Sequence, residues 1–64
     1  MTRFEPGDRV RFTCSSDLID GEVEEVRRGH DGNHLLVVRE GDEWSGDRYV
    51  VLSSYAEPVA HSVV

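Results

Sequence analysis

His30 and His34 stand four positions apart on either side of Asp31-Gly32, a separation at which two imidazoles can share a metal ion, with Asp31 or Cys14 as a third ligand. That spacing has a ligand logic mainly on a helix or in a zinc finger, whereas here it spans a turn, and His61 lies far along the chain. No metal site is expected. Ser, His and Asp are all present, but nothing like a nucleophile elbow positions a serine, so no catalytic residue is assigned. Cys14, the single cysteine, ends a run that alternates polar and apolar side chains, which makes it a small inward-facing hydrophobe rather than a nucleophile.

The side chains better suited to recognition are aromatic and charged. Trp44, Tyr49 and Tyr55 offer the large, partly polar surfaces that anchor protein interfaces, and Asp42 and Glu43 place negative charge beside Trp44. These five form the candidate partner-binding set. Arg9 and Arg11 leave the first strand on one face and Arg27 and Arg28 end the second, which makes them the candidate nucleic-acid contacts. All seven basic residues are arginine, but thirteen Asp and Glu set the net charge at −6, a field that repels nucleic acid and anionic membranes.

Sixty-four residues make one domain with a small core, since a chain of this size buries only about 60% of its unfolded surface. An enclosed active site of ordinary volume does not fit beside that core, so the chain is read as non-enzymatic, without a cofactor. A lone cysteine excludes an internal disulfide framework. With no long apolar run, and with Met1-Thr2-Arg3-Phe4 leading directly into Pro6-Gly7, a cytoplasmic location away from membranes is expected.

Five short strands are expected to position these residues. Residues 1–6 are a lead-in, with Phe4 an anchor on the barrel end. Arg9–Cys14 alternates with period two, turning Val10, Phe12 and Cys14 inward. After a polar loop at Ser15-Ser16-Asp17, a second strand carries Ile19, Gly21 and Val23 on one face. Val26 falls out of phase unless a bulge near Glu24-Glu25 restores it. Gly21 fits a close backbone approach. A hairpin turn at Gly29–Asn33, carried by Asp31-Gly32, leads into His34–Glu40, whose Leu35-Leu36-Val37-Val38 run suggests a strand covered on both faces. Turns at 41–43 and 45–47 flank Trp44. A fourth strand at Arg48–Leu52, a 3₁₀ turn at Ser53-Ser54-Tyr55 and a short strand over Ala56–His61 complete the set. Pro58 confines the last strand to an edge or a strand end, and 62–64 fray.

This order of short strands and tight turns favours an all-β SH3-like barrel. Phe4-Glu5-Pro6-Gly7-Asp8-Arg9-Val10-Arg11 followed by Asp20-Gly21-Glu22-Val23-Glu24-Glu25-Val26 resembles the KOW and Tudor-like group of these barrels. That group opens with a Gly-Asp-x-Val strand and continues with a Gly-x-Val strand. Val37–Trp44 and Val51–Ser54 look like its third and fourth strands and connector. In Tudor-like domains, aromatics at comparable positions cage a methylated cation, which implies such a role for Trp44, Tyr49 and Tyr55 with Phe12, beside Asp42 and Glu43. KOW-type domains often bind RNA, ribosomes or RNA polymerase. Here the first loop, Cys14–Asp20, carries two carboxylates and no basic residue, a departure from that pattern.

The functional expectation is therefore a binding or adaptor module for a protein or peptide, as an accessory to transcription or translation machinery or to a larger assembly. Two other readings stand beside it. One is an acidic regulator that shows Glu22, Glu24, Glu25, Glu40, Asp42 and Glu43 to a basic partner as a nucleic-acid mimic would. The other is a KOW-like RNA- or DNA-binding module. An unpaired sheet edge would also permit a homodimer.

Overall fold

The computed structural model describes residues 3–59. Its elements are β1 (Arg9–Cys14), β2 (Asp17–Gly29), β3 (Gly32–Arg39), β4 (Tyr49–Leu52), a 3₁₀ turn (Ser53–Tyr55) and β5 (Glu57–Pro58). They form one five-stranded antiparallel sheet in the order β4-β3-β2-β1-β5, with no α-helix among the described residues. No hydrogen-bonded ladder joins β4 to β5, so the all-β expectation holds while the sheet is not closed by its backbone bonds. It is nonetheless strongly coiled. Phe12 on β1 and Tyr49 on β4 meet edge to face with ring centroids 5.5 Å apart, although β2 and β3 lie between their strands. In a flat sheet three inter-strand spacings would hold those backbones about 14 Å apart.

The coiling encloses one core. Val10, Val23, Leu35 and Val37 are fully buried, and Phe4, Phe12 and Ile19 join them. Cys14, Val26, Tyr49, Val51 and Ala56 pack partly buried around this cluster. Phe4 thus anchors the lead-in, as its position ahead of Pro6-Gly7 suggests. Strand alternation explains the pattern in β1, where Val10 and Phe12 point in while Arg9, Arg11 and Thr13 are more exposed.

β2 is the longest strand and the one that bends. Val23 pairs with Val37 but Glu25 pairs with Leu36, so Glu24 is the extra residue of a bulge. The bulge restores Val26 to the inner row, opposite Leu35, as the out-of-phase pattern requires. At the same place the lead-in crosses β2: the Gly7 N–H donates to the Val23 carbonyl and the Val23 N–H to the Asp8 carbonyl, both at 2.8 Å. Gly21 is buried where the strands run closest, since a Cβ there would lie 2.5 Å from the Val38 carbonyl oxygen.

Several boundaries differ from expectation. The segment read as a polar loop at Ser15–Asp17 is a tight hairpin, because Cys14 pairs directly with Asp17 and both Ser15 and Ser16 take positive φ (49° and 73°). β2 consequently begins at Asp17, with Ile19 buried and Leu18 exposed. In the second hairpin Gly29 pairs with Gly32, so His30-Asp31 make the turn and the left-handed residue is Gly32 (φ 121°) rather than Asp31. β4 starts one residue later than expected, at Tyr49. β5 is shorter than the expected Ala56–His61 strand, and the expectations for residues 60–64 lie outside the described residues.

Candidate functional site

β4 is the edge strand beyond β3, and Tyr49-Val50-Val51-Leu52 is apolar throughout. Alternation against β3 turns Tyr49 and Val51 toward the core, where both pack, and leaves Val50 exposed. The 3₁₀ turn that follows lifts Tyr55 into solvent at 72% exposure. Between this corner and the end of the first hairpin lies a groove of about 390 Å³. It is lined by Phe12, Thr13 and Cys14 of β1, by His34 of β3, and by Tyr49, Val50, Val51 and Leu52 of β4 with Tyr55 of the 3₁₀ turn, Val50 and Tyr55 being the most exposed of the apolar members. None of the lining residues is Asp, Glu, Lys or Arg. The groove therefore offers aromatic edges, two hydroxyls from tyrosine, a thiol and an imidazole, which suits an uncharged segment with apolar side chains.

Of the partner-binding set read from the sequence, this groove brings together Tyr49 and Tyr55. Trp44 does not line it. It stands 85% exposed on the loop between β3 and β4, whose turns are fixed by the Asp42 carbonyl accepting from the Ser45 N–H (3.1 Å) and Oγ (2.8 Å). Asp42 is half-buried on that loop, and Glu43 borders a small crevice with Arg9, Glu22, Val38 and Glu40. The groove thus holds two members of the implied aromatic cage, together with Phe12, but neither Trp44 nor the carboxylates.

The candidate nucleic-acid contacts are mostly engaged. Arg9 pairs with Glu40 (3.3 Å), Arg27 with Glu25 (3.0 Å), and the Arg11 Nε–H donates to Asp20 Oδ1 at 2.7 Å. Hydrogen bonding to Asp20 raises Arg11 further above its ordinary value and, reciprocally, holds the Asp20 carboxyl below the usual carboxylate range. Arg28 has no such partner among the described residues and borders a second cavity near Phe4. Arg48 donates from Nε to Glu24, the extra residue of the β2 bulge, at 3.0 Å, which ties the β3–β4 loop to the bend in the sheet.

His34 Nε2 lies 2.8 Å from Asp31 Oδ1, a contact across the hairpin turn that lowers the Asp31 carboxyl pKa, while His30 is exposed. Among the described residues no three His, Cys, Asp or Glu side chains are grouped to hold a metal ion. No helix of the described residues is long and apolar enough to cross a membrane.

The groove residues that sequence reasoning did not assign to recognition are Thr13, Val50, Val51 and Leu52, together with Cys14 and His34, which it weighed as metal ligands and, for Cys14, as a nucleophile. A signal for Val50 was present: four consecutive apolar residues in a strand must put some on the outer face, and an edge strand has no neighbour to cover them. Nothing in the local pattern of Thr13 or His34 announces the groove, because Thr13 reaches it through sheet coiling and His34 through its pairing with Leu52 of β4. No family model, curated protein or solved structure matches the chain.

Proposed function

We propose that the chain is a non-enzymatic binding module of SH3-like barrel architecture that takes a short apolar segment of a protein or peptide into the groove between Tyr49, Val50 and Tyr55. The barrel reading draws support from the β4–3₁₀–β5 connection and from the Phe12–Tyr49 contact across a coiled sheet. The observation that carries the functional reading is an uncharged groove that keeps Val50 and Tyr55 well exposed on a chain of net charge −6. Exposed apolar side chains gathered at one concave place mark interaction surfaces more often than scattered ones do.

A partner gripped here would gain from aromatic contact and from the edge of β4, which no strand of the described residues pairs and which can accept an added one. An accessory role beside transcription or translation machinery, in the cytoplasm, is compatible with this mode. The acidic-mimic reading is weaker, because Glu24, Glu25 and Glu40 are each engaged by an arginine. Direct nucleic-acid binding is weaker for the converse reason, since Arg9, Arg11 and Arg27 are engaged by carboxylates.

Selection from a random peptide display library, followed by binding of the selected sequences to Tyr55→Ala, tests the proposal. Tyr55 is exposed, so its truncation leaves the unfolding midpoint nearly unchanged while weakening peptide binding about tenfold or more. Selected peptides that bind Tyr55→Ala as tightly as the native chain, but fail on Trp44→Ala, would move the site to the β3–β4 loop. Enrichment only of basic peptides sensitive to reversal of Glu24 and Glu25 would favour the acidic regulator.

A further inference from the structure

At the turn end of the β2–β3 hairpin, just beyond the pairing of His34 with Leu52 of β4, the inner row of β2 and β3 runs out. Val26 opposite Leu35 is its last apolar pair, and two residues on come Arg28 and Asn33, directly opposite each other and therefore on the same face. A long cation on the core-facing row has no role in packing, and among the described residues Arg28 has no carboxylate within ion-pair distance. Arg3 is in the same condition and borders the same cavity, ahead of the Phe4 anchor. Of the other five arginines, Arg9, Arg11, Arg27 and Arg48 are paired, and Arg39, without an ion pair among the described residues, lies outside the cavity. Two unneutralised guanidiniums and a carboxamide thus border one cavity of about 660 Å³, whose apolar lining is Phe4, Pro6 and Val26. Glu5 also lines it and leaves one positive charge in excess.

We propose that this cavity binds a small organic anion, a carboxylate or phosphate carried on an apolar body. The guanidiniums and the Asn33 amide would donate to the anionic oxygens, while the body covers Phe4 and Val26. The site shares no residue with the groove at Tyr49 and Tyr55, and stands independently of the function proposed for it.

Titration of the native chain with phenyl phosphate, benzoate and inorganic phosphate, followed by amide shifts and calorimetry, tests this. Saturable binding centred on Arg28 and Asn33 is expected, tighter for phenyl phosphate than for inorganic phosphate because only the former uses the apolar lining. Arg28→Gln should weaken it about tenfold or more, the effect of losing a charged hydrogen bond. Arg39→Gln removes an equal charge from a residue outside the cavity and should leave affinity within about twofold. Arg28 is exposed, so an unchanged unfolding midpoint would separate lost binding from lost folding. The proposal is overturned by no saturation below about 10 mM. It is overturned equally by matching losses in Arg28→Gln and Arg39→Gln, or by binding of single-stranded RNA with none of the small anions.

Discussion

Gly21 shows how a single missing methyl sets the geometry of the sheet. A Cβ at this position would meet the Val38 carbonyl oxygen at 2.5 Å and Val37 Cγ1 at 2.7 Å, and the first of these is backbone that cannot rotate away. Gly21→Ala should therefore force β2 and β3 apart and cost about 1–3 kcal/mol, the range for overpacked interiors. A lowered urea midpoint with an unchanged m-value would register it, and an unaltered midpoint would mean the strands have room to separate. Charge acts differently at Asp20, where the Arg11 hydrogen bond lowers the folded-state pKa below the ordinary value of an aspartate. A depressed carboxylate stabilises the fold above its unfolded pKa, and that contribution is lost as pH falls through the folded value. Asp31, lowered by His34, works in the same direction. Stability should thus be level above about pH 5 and decline on acidification below about pH 4. Asp20→Asn should flatten part of that decline, and urea midpoints measured from pH 2.5 upward would show an unchanged slope if the pair is idle. Both side chains are more than a third exposed, so salt will weaken the effect.

Among the elements, the two hairpins differ in how well their turns suit them. The second places positive φ at Gly32, where it is free of strain. The first places it at Ser15 and Ser16 together, and a side chain in the left-handed region costs about 1–2 kcal/mol per residue. Replacing Ser15-Ser16 with Asn-Gly should raise stability by about 1–2 kcal/mol, read as a higher thermal midpoint, without moving Cys14 from Asp17. A lower midpoint would show that the serines make a contribution beyond the turn. This hairpin also marks where sequence reading stops. Serine pairs do not advertise a two-residue turn, so β2 was expected to start late. The bulge at Glu24 was legible for the opposite reason, because Val26 breaks a strict period of two and burial pulls it back. Gly21, Phe4 and the β1 alternation were legible on the same grounds, each a local pattern with one physical solution. The groove was legible only in its aromatic members Phe12, Tyr49 and Tyr55, since Thr13 joins them through sheet coiling and His34 through its pairing with Leu52, neither of which a short window encodes.

On the scale of the whole molecule, the two edges of the sheet are unequally protected. β5 carries Pro58 and Glu57, which discourage another strand from pairing there, whereas β4 has four apolar residues and neither a charge nor a proline. The net charge of −6 opposes association of two copies, a long-range repulsion that salt screens to within about 8–10 Å at ordinary ionic strength. Two consequences follow from one cause. Raising the salt concentration should promote association of the native chain through β4, visible as a concentration-dependent rise in sedimentation coefficient. Val50→Lys should suppress that rise, because an exposed edge lysine would bring a charge into any added strand, and should shift stability by no more than about 0.5 kcal/mol. The same lysine would line the aromatic groove and should impair apolar peptides there, so self-association and partner binding are expected to compete for one surface. Peptide that dissolves the high-salt dimer would show the competition directly. A native chain that stays monomeric at millimolar concentration in high salt would show that the coiling of the sheet already hides the β4 edge.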